Sequence, residues 1–128
     1  NFAYPAIAIK SRSVENGVKL FSIVYNSLPQ QADEVEPMMN IVVWKEGLDT
    51  VSVIFPRRKH RPDCYSKEGN EQYLISPGAL DMGGLLILPR QTDFERINEK
   101  LLLKVMQEIV LPAETMQEVT EKIRNKGE

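Results

Sequence analysis

The sequence predicts an α+β domain in which helices pack on one face of a mainly antiparallel sheet. Three observations carry that prediction. Two runs rich in β-branched and aromatic residues, Asn40–Trp44 and Thr50–Phe55, flank a short turn and read as a hairpin. Apolar residues recur at helical spacing toward both ends of the chain. The segments follow one another in the order β-α-β-β-β-α-α. A chain of 128 residues can bury one core of ordinary size but not two, so residues 1–128 are expected to form a single domain.

Taken in order, Ala6–Lys10 reads as a short, largely buried strand. Ser13 is placed to cap a helix over Val14–Ser27, where Val14, Val18, Phe21, Ile23, Val24 and Leu28 lie close to helical spacing. Leu28-Pro29 ends it, and Gly17 weakens its first turn. Gln30–Glu36 is polar and acidic, the segment best suited to a mobile loop. The hairpin follows, turning at Glu46-Gly47-Leu48-Asp49. Arg57–Tyr73 is too polar for core and forms a long loop, a feature that in compact domains is usually functional or disordered. Ser76–Gly84 is a glycine-rich turn that feeds a third strand over Gly84–Leu88. Thr92-Asp93-Phe94-Glu95 has the spacing of a capping box and launches a helix. Asn98–Ile109 continues it with Leu101, Leu102, Val105, Met106 and Ile109 on one face. Pro112 breaks it, and Ala113–Arg124 forms a last helix anchored by Met116, Val119 and Ile123.

Composition narrows the function. A net charge of −2 argues against nonspecific nucleic-acid binding, which needs a broad basic surface. No apolar run approaches the roughly 18 residues of a membrane span. Cys64 is the single cysteine, so no internal disulfide, zinc spacing or Cys-x-x-Cys pair is available; this suits a cytoplasmic protein. The chain begins without methionine and without the charged and apolar regions of a signal peptide. A piece of a longer protein is the simplest account. The sequence calls for no cofactor and no metal.

The local charge is more pointed. Four of the sixteen Lys and Arg residues fall in Arg57-Arg58-Lys59-His60-Arg61, and a cation cluster in a net-negative chain points to an anion, phosphate above all. Pairing of these cations with Asp63, Glu68 or Glu71 is the other reading, and both stay open. In Ser76–Gly84 the glycines allow N–H groups to face a ligand or simply make a tight crossover; no P-loop or GxGxxG pattern is present. Asp81 inside that turn either caps backbone N–H groups or pairs with Arg57 or Arg90. His60 is the only histidine, and a nucleophilic histidine needs an orienting partner. Cys64 has no identifiable base.

Asn40-Ile41-Val42-Val43, Phe55-Pro56-Arg57 with Lys59, Ala79-Leu80 with Gly83-Gly84, and Arg90 ahead of Phe94-Glu95 resemble a known C-terminal half. It is that of the dinucleoside-polyphosphate phosphorylases (ATP adenylyltransferases) and related sugar-nucleotide phosphorylases. These belong to the histidine-triad superfamily, related to galactose-1-phosphate uridylyltransferase. A poorly characterised bacterial family similar to ATP adenylyltransferase resembles the chain more closely, over roughly Met39–Leu111. The resemblance implies a histidine-triad-like fold and a protein of two related halves. The first half carries a His-x-His-x-His or His-x-His-x-Gln motif whose middle histidine attacks the α-phosphate. This sequence has no such motif, so the resemblance implies no catalytic residue here. It implies an accessory half, with Arg57, Lys59 and Arg90, together with His60, as candidate phosphate or nucleotide contacts. The implied partners are an N-terminal catalytic half of the same protein and a nucleotide or phosphate ligand; an unpaired sheet edge would also allow a homodimer. The alternative is a binding or assembly domain that keeps the fold without the enzymology.

Overall fold

The computed structural model describes residues 4–127; residues 1–3, at the start of the apolar N-terminal segment, and residue 128 lie outside that range. A three-stranded antiparallel sheet sits at the centre. Its strands are β1 (Ile7–Ser11), β2 (Met39–Glu46) and β3 (Asp49–Pro56), in the order β1-β3-β2. The helices are α1 (Val14–Tyr25), α2 (Ala79–Met82), α3 (Gln91–Arg96), α4 (Glu99–Ile109) and α5 (Ala113–Gly127). This is an α+β fold, as the residue patterns predict. Among the described residues no helix is long and apolar enough to cross a membrane.

The hairpin forms where expected. Glu46 pairs with Asp49 across Gly47-Leu48. Gly47 has φ 62 and is the one residue of that turn with positive φ, which matches a two-residue turn that wants glycine first. The third strand is β1, with Ile7 opposite Ile54 and Ile9 opposite Ser52.

Period-two alternation along β3 divides the core into two clusters. Ile54 joins Ile9, Val24, Leu28, Leu111, Met116 and Val119, beneath α1 and α5. Val51, Val53 and Phe55 point the other way, to Met82, Met106, Ile109 and Val110. Helices therefore cover both faces of the central strand, a wider arrangement than the one-faced packing that the spacing suggests. Ile54 and Phe55 are fully buried, and each contributes on the order of 2–3 kcal/mol by leaving water.

Two expected elements differ. Gly84–Leu88 is not a strand: its backbone belongs to no ladder, and Leu85 and Ile87 are exposed. The apolar run has strand composition but finds no neighbouring strand to pair with among the described residues. The helix expected from Thr92 also begins differently, at Gln91 with Arg90 as its N-cap, and the chain breaks at Ile97-Asn98 before α4. Glu95 accepts from Gln91 instead of closing a box. The effective cap lies further on, where the Asn98 Oδ1 accepts from the Leu101 N–H at 2.9 Å. Ser13 caps α1 as predicted, accepting from the Asn16 N–H at 3.1 Å.

Asn98→Ala is accordingly expected to cost about 1 kcal/mol, the usual loss of an N-cap. Thr92→Ala should change stability by less than about 0.5 kcal/mol. Urea unfolding of the two variants separates the two caps; a larger loss at Thr92 than at Asn98 would reverse the assignment.

Candidate functional site

The basic segment leaves β3 at Pro56 and is stitched at once to two neighbours. The Arg57 N–H donates to the Met38 carbonyl at 2.9 Å, the Arg58 N–H to that of Ile109 at 2.9 Å, and Leu111 returns a bond to Pro56. Arg57 pairs with Val110 as an isolated bridge. This directs the Arg57 side chain inward, where it is 5 % exposed. Its Nη1 donates to the Asn40 Oδ1 at 2.7 Å and to the Pro77 carbonyl, and its Nη2 to the carbonyls of Lys59 at 3.1 Å and His60 at 2.6 Å. Among the described residues its Nε has no acceptor. Burial pulls the Arg57 pKa below the ordinary arginine value, and the charge of Asp81 acts in the opposite direction.

The other members of the cluster spread out over the surface. Lys59 donates to the Asp63 carboxylate and to Glu108 at 2.6 Å, and these bonds raise its pKa. Glu108 also accepts from the Asp63 N–H at 2.7 Å, so one carboxylate ties the loop to α4. Arg58 caps the α4 end through the Glu108 carbonyl. Arg61 lies over the Tyr65 ring at 4.2 Å and reaches Ser76 at 3.2 Å. His60 is exposed. Its carbonyl serves Arg57, and its imidazole has no hydrogen-bonding or ionic partner among the described residues.

The glycine turn is organised by Asp81, which is 7 % exposed. Its carboxylate accepts from the Gly78 N–H and the Ile87 N–H, both at 2.9 Å. Of the two roles open to Asp81, capping is therefore filled by direct contact, while Arg57 feels its charge without a direct bond. The N–H groups of Gly78 and Ile87 are consumed internally and do not face a ligand.

Arg90 takes part in a second network. It grips Asp93 with Nε at 2.9 Å and Nη2 at 3.0 Å, and holds Gln72 at 3.0 Å. Arg96 reaches the same Asp93 at 2.8 Å, the Gln72 carbonyl at 2.7 Å and the Asn70 carbonyl at 2.6 Å, with its guanidinium 4.2 Å above the Tyr73 ring. Asp93 is fully buried and also accepts from the Leu74 N–H at 3.0 Å. The Arg90 hydrogen bonds, with those from Leu74 and Arg96, hold its carboxyl well below the usual carboxylate range, against the effect of burial.

Arg57, Lys59 and Arg90 thus each have partners within the domain, and they lie in three networks: an inner clamp, a loop-to-α4 bridge, and a brace between Asn70–Leu74 and α3. Lys59 and His60 are the members of the predicted set that reach solvent beside one another. Asn40, Gln72, Asp93, Arg96 and Glu108 escaped the sequence reading. The spacing Arg90-x-x-Asp93-x-x-Arg96 was the available signal, because residues three apart share a helix face. Cys64 is half-buried, and burial pushes its thiol pKa up, away from thiolate chemistry. Among the described residues no group of three or more His, Cys, Asp or Glu could hold a metal ion.

A family model described as GDPGP1-like, C-terminal domain, matches residues 3–128. No curated protein and no solved structure matches the chain.

The Asp93 network sets a pH dependence. A carboxyl whose folded pKa lies below its unfolded value of roughly 3.9 stabilises the fold above that value, and the contribution is lost as pH falls through the folded pKa. Asp93→Asn is expected to cost about 3 kcal/mol at pH 7, the lower end for breaking a buried ion pair. It should also flatten the loss of stability below about pH 4. Urea midpoints at pH 7, 4 and 3 check both; an unchanged acid limb in the variant would remove Asp93 as its source.

Proposed function

The chain belongs to the GDPGP1-like C-terminal domain family, and on that premise we propose that it is the accessory, non-catalytic domain of a sugar-nucleotide phosphorylase or related nucleotidyltransferase. GDPGP1 is a GDP-glucose phosphorylase related to histidine-triad and galactose-1-phosphate uridylyltransferase-like enzymes. In this reading the substrate class is a nucleoside diphosphate sugar, and the N-terminal region of the same protein supplies the nucleophile. The observation that carries the reading is the state of the only histidine. His60 is exposed, in a loop, and has no group to fix its tautomer, whereas a nucleophilic imidazole needs both an orienting partner and donors for the developing charge.

The predicted phosphate contacts divide into two roles. Lys59 and His60 are the adjacent pair at the surface, suited to a phosphate that the other half presents. Arg57 and Arg90 serve as supports: buried Arg57 holds the carbonyls of Lys59 and His60, and Arg90, about as exposed as Lys59, braces the following loop on α3 through Asp93 and Gln72. The domain would complete a site rather than contain one. A binding or assembly role without enzymology draws support from the internal pairing of Lys59 and Arg90, and the same experiment separates the two.

In the full-length protein, assayed for phosphate-dependent cleavage of GDP-glucose, His60→Ala is expected to keep kcat within about twofold, because a group that carries proton transfer or attack costs about 100-fold or more when removed. Lys59→Ala should raise KM by about two- to fivefold, the range of a solvent-exposed charge contact. A loss of kcat by two orders of magnitude on His60→Ala would make this domain catalytic. Unchanged KM in Lys59→Ala, His60→Ala and the double variant would leave the assembly role.

A further inference from the structure

We propose that Gly84–Leu88 is a docking edge for the region of the same polypeptide that precedes this domain. The inference rests on the reading of the chain as a C-terminal domain, since that names what lies upstream. Four successive apolar residues, Leu85-Leu86-Ile87-Leu88, have the composition of a strand. Their exposure alternates as in a strand with one face covered: Leu85 is 61 % and Ile87 53 % exposed, while Leu86 and Leu88 are half-buried.

The hydrogen bonds alternate too. The Leu85 N–H donates to the Leu80 carbonyl at 2.9 Å and the Ile87 N–H to the Asp81 carboxylate at 2.9 Å. The N–H groups of Leu86 and Leu88, and the carbonyls of residues 85–88, meet no partner among the described residues. Every second N–H is bonded into the domain and the intervening ones are left over. Unpaired groups of this kind are available to an incoming strand. The segment is also held in place, since buried Asp81 grips both Gly78 and Ile87.

The start of the described chain packs close by. The Tyr4 hydroxyl donates to the Met82 carbonyl, and its ring packs edge-on against Phe55 with centroids 5.8 Å apart. Tyr4, the first described residue, is thereby fixed against α2, the helix that leads into Leu85. A cleft of about 450 Å³ lined by Leu74, Leu80, Ile87 and Pro89 adjoins it. A second apolar groove, lined by Val14, Val18, Ile41 and Val43, lies on the opposite sheet face from Phe55 and Tyr4.

Hydrogen exchange with residue-level fragmentation, applied to the full-length protein at two concentrations, tests the proposal without requiring turnover. The Leu86 and Leu88 amides are expected to exchange at least about tenfold more slowly than an unprotected chain, equally at both concentrations. Leu85→Asp/Ile87→Asp should abolish that protection and speed exchange in the upstream region, leaving α4 and α5 unchanged. Free exchange at Leu86 and Leu88 in the unmodified protein would overturn the proposal, and so would protection that grows with concentration, which would mean a second copy. Protection that survives the double substitution would overturn it as well. If the double variant also loosens α4 and α5, the unmodified protein decides alone. Loss of the phosphorylase reading leaves these exchange rates untouched, so the two can fail separately.

Discussion

A single buried guanidinium carries much of the architecture. Arginine is the one side chain with five donors in a rigid fork, and Arg57 spends four bonds on groups that come from β2, from the start of the glycine turn and from its own loop. Carbonyl dipoles and the nearby charge of Asp81 offset the cost of removing the cation from water. The segment from Arg58 to Pro77 contains two short 3-10 turns and no strand, so its first turn, Lys59-His60, depends on this clamp for its path. The clamp also explains why the chain can leave a fully buried strand and reach the surface within two residues.

Charge in this domain is mostly used to organise irregular backbone. Asp93, buried among Arg90, Arg96 and the Leu74 N–H, does for the second half of the long loop what Arg57 does for the first. Glu108 links Lys59, Asp63 and α4 in the same manner. Paired charges supply directional bonds where no ladder is available to fix the loop. Of the basic cluster, Arg58, His60 and Arg61 face solvent and Lys59 is half-buried, while Arg57 lies beneath them.

The sequence made the regular parts legible. Val51, Val53, Ile54 and Phe55 identify a buried strand by β-branching and alternation, and Ser13 and Asn98 stand at helix starts with acceptors of the right length. The misreadings have physical causes. Leu85–Leu88 looks like a strand because composition reports burial and stiffness, whereas a strand also requires a neighbour that composition cannot name. Thr92-x-x-Glu95 looks like a cap, but its helix begins one residue earlier, and the Asp93 carboxylate is drawn to two arginines. The burial of Arg57 was beyond reach, since it depends on carbonyls that the fold brings from as far as Pro77. Depth was the part that could not be read: an arginine beside three other cations reads as surface, and here it is core.

The strand order has a consequence for how the chain acquires its shape. β3 pairs with β2 across a two-residue turn but with β1 across about a third of the chain, and closing a longer loop costs more entropy before any contact repays it. The hairpin can therefore assemble as soon as Pro56 is available. β1 is added afterwards, and α5 locks α1 only at the end, where Lys126 reaches the Asn26 carbonyl one hundred positions away. Loop entropy thus favours the hairpin as the first long-lived piece of the sheet, with the β1 pairing and the Tyr4–Phe55 contact closing larger loops.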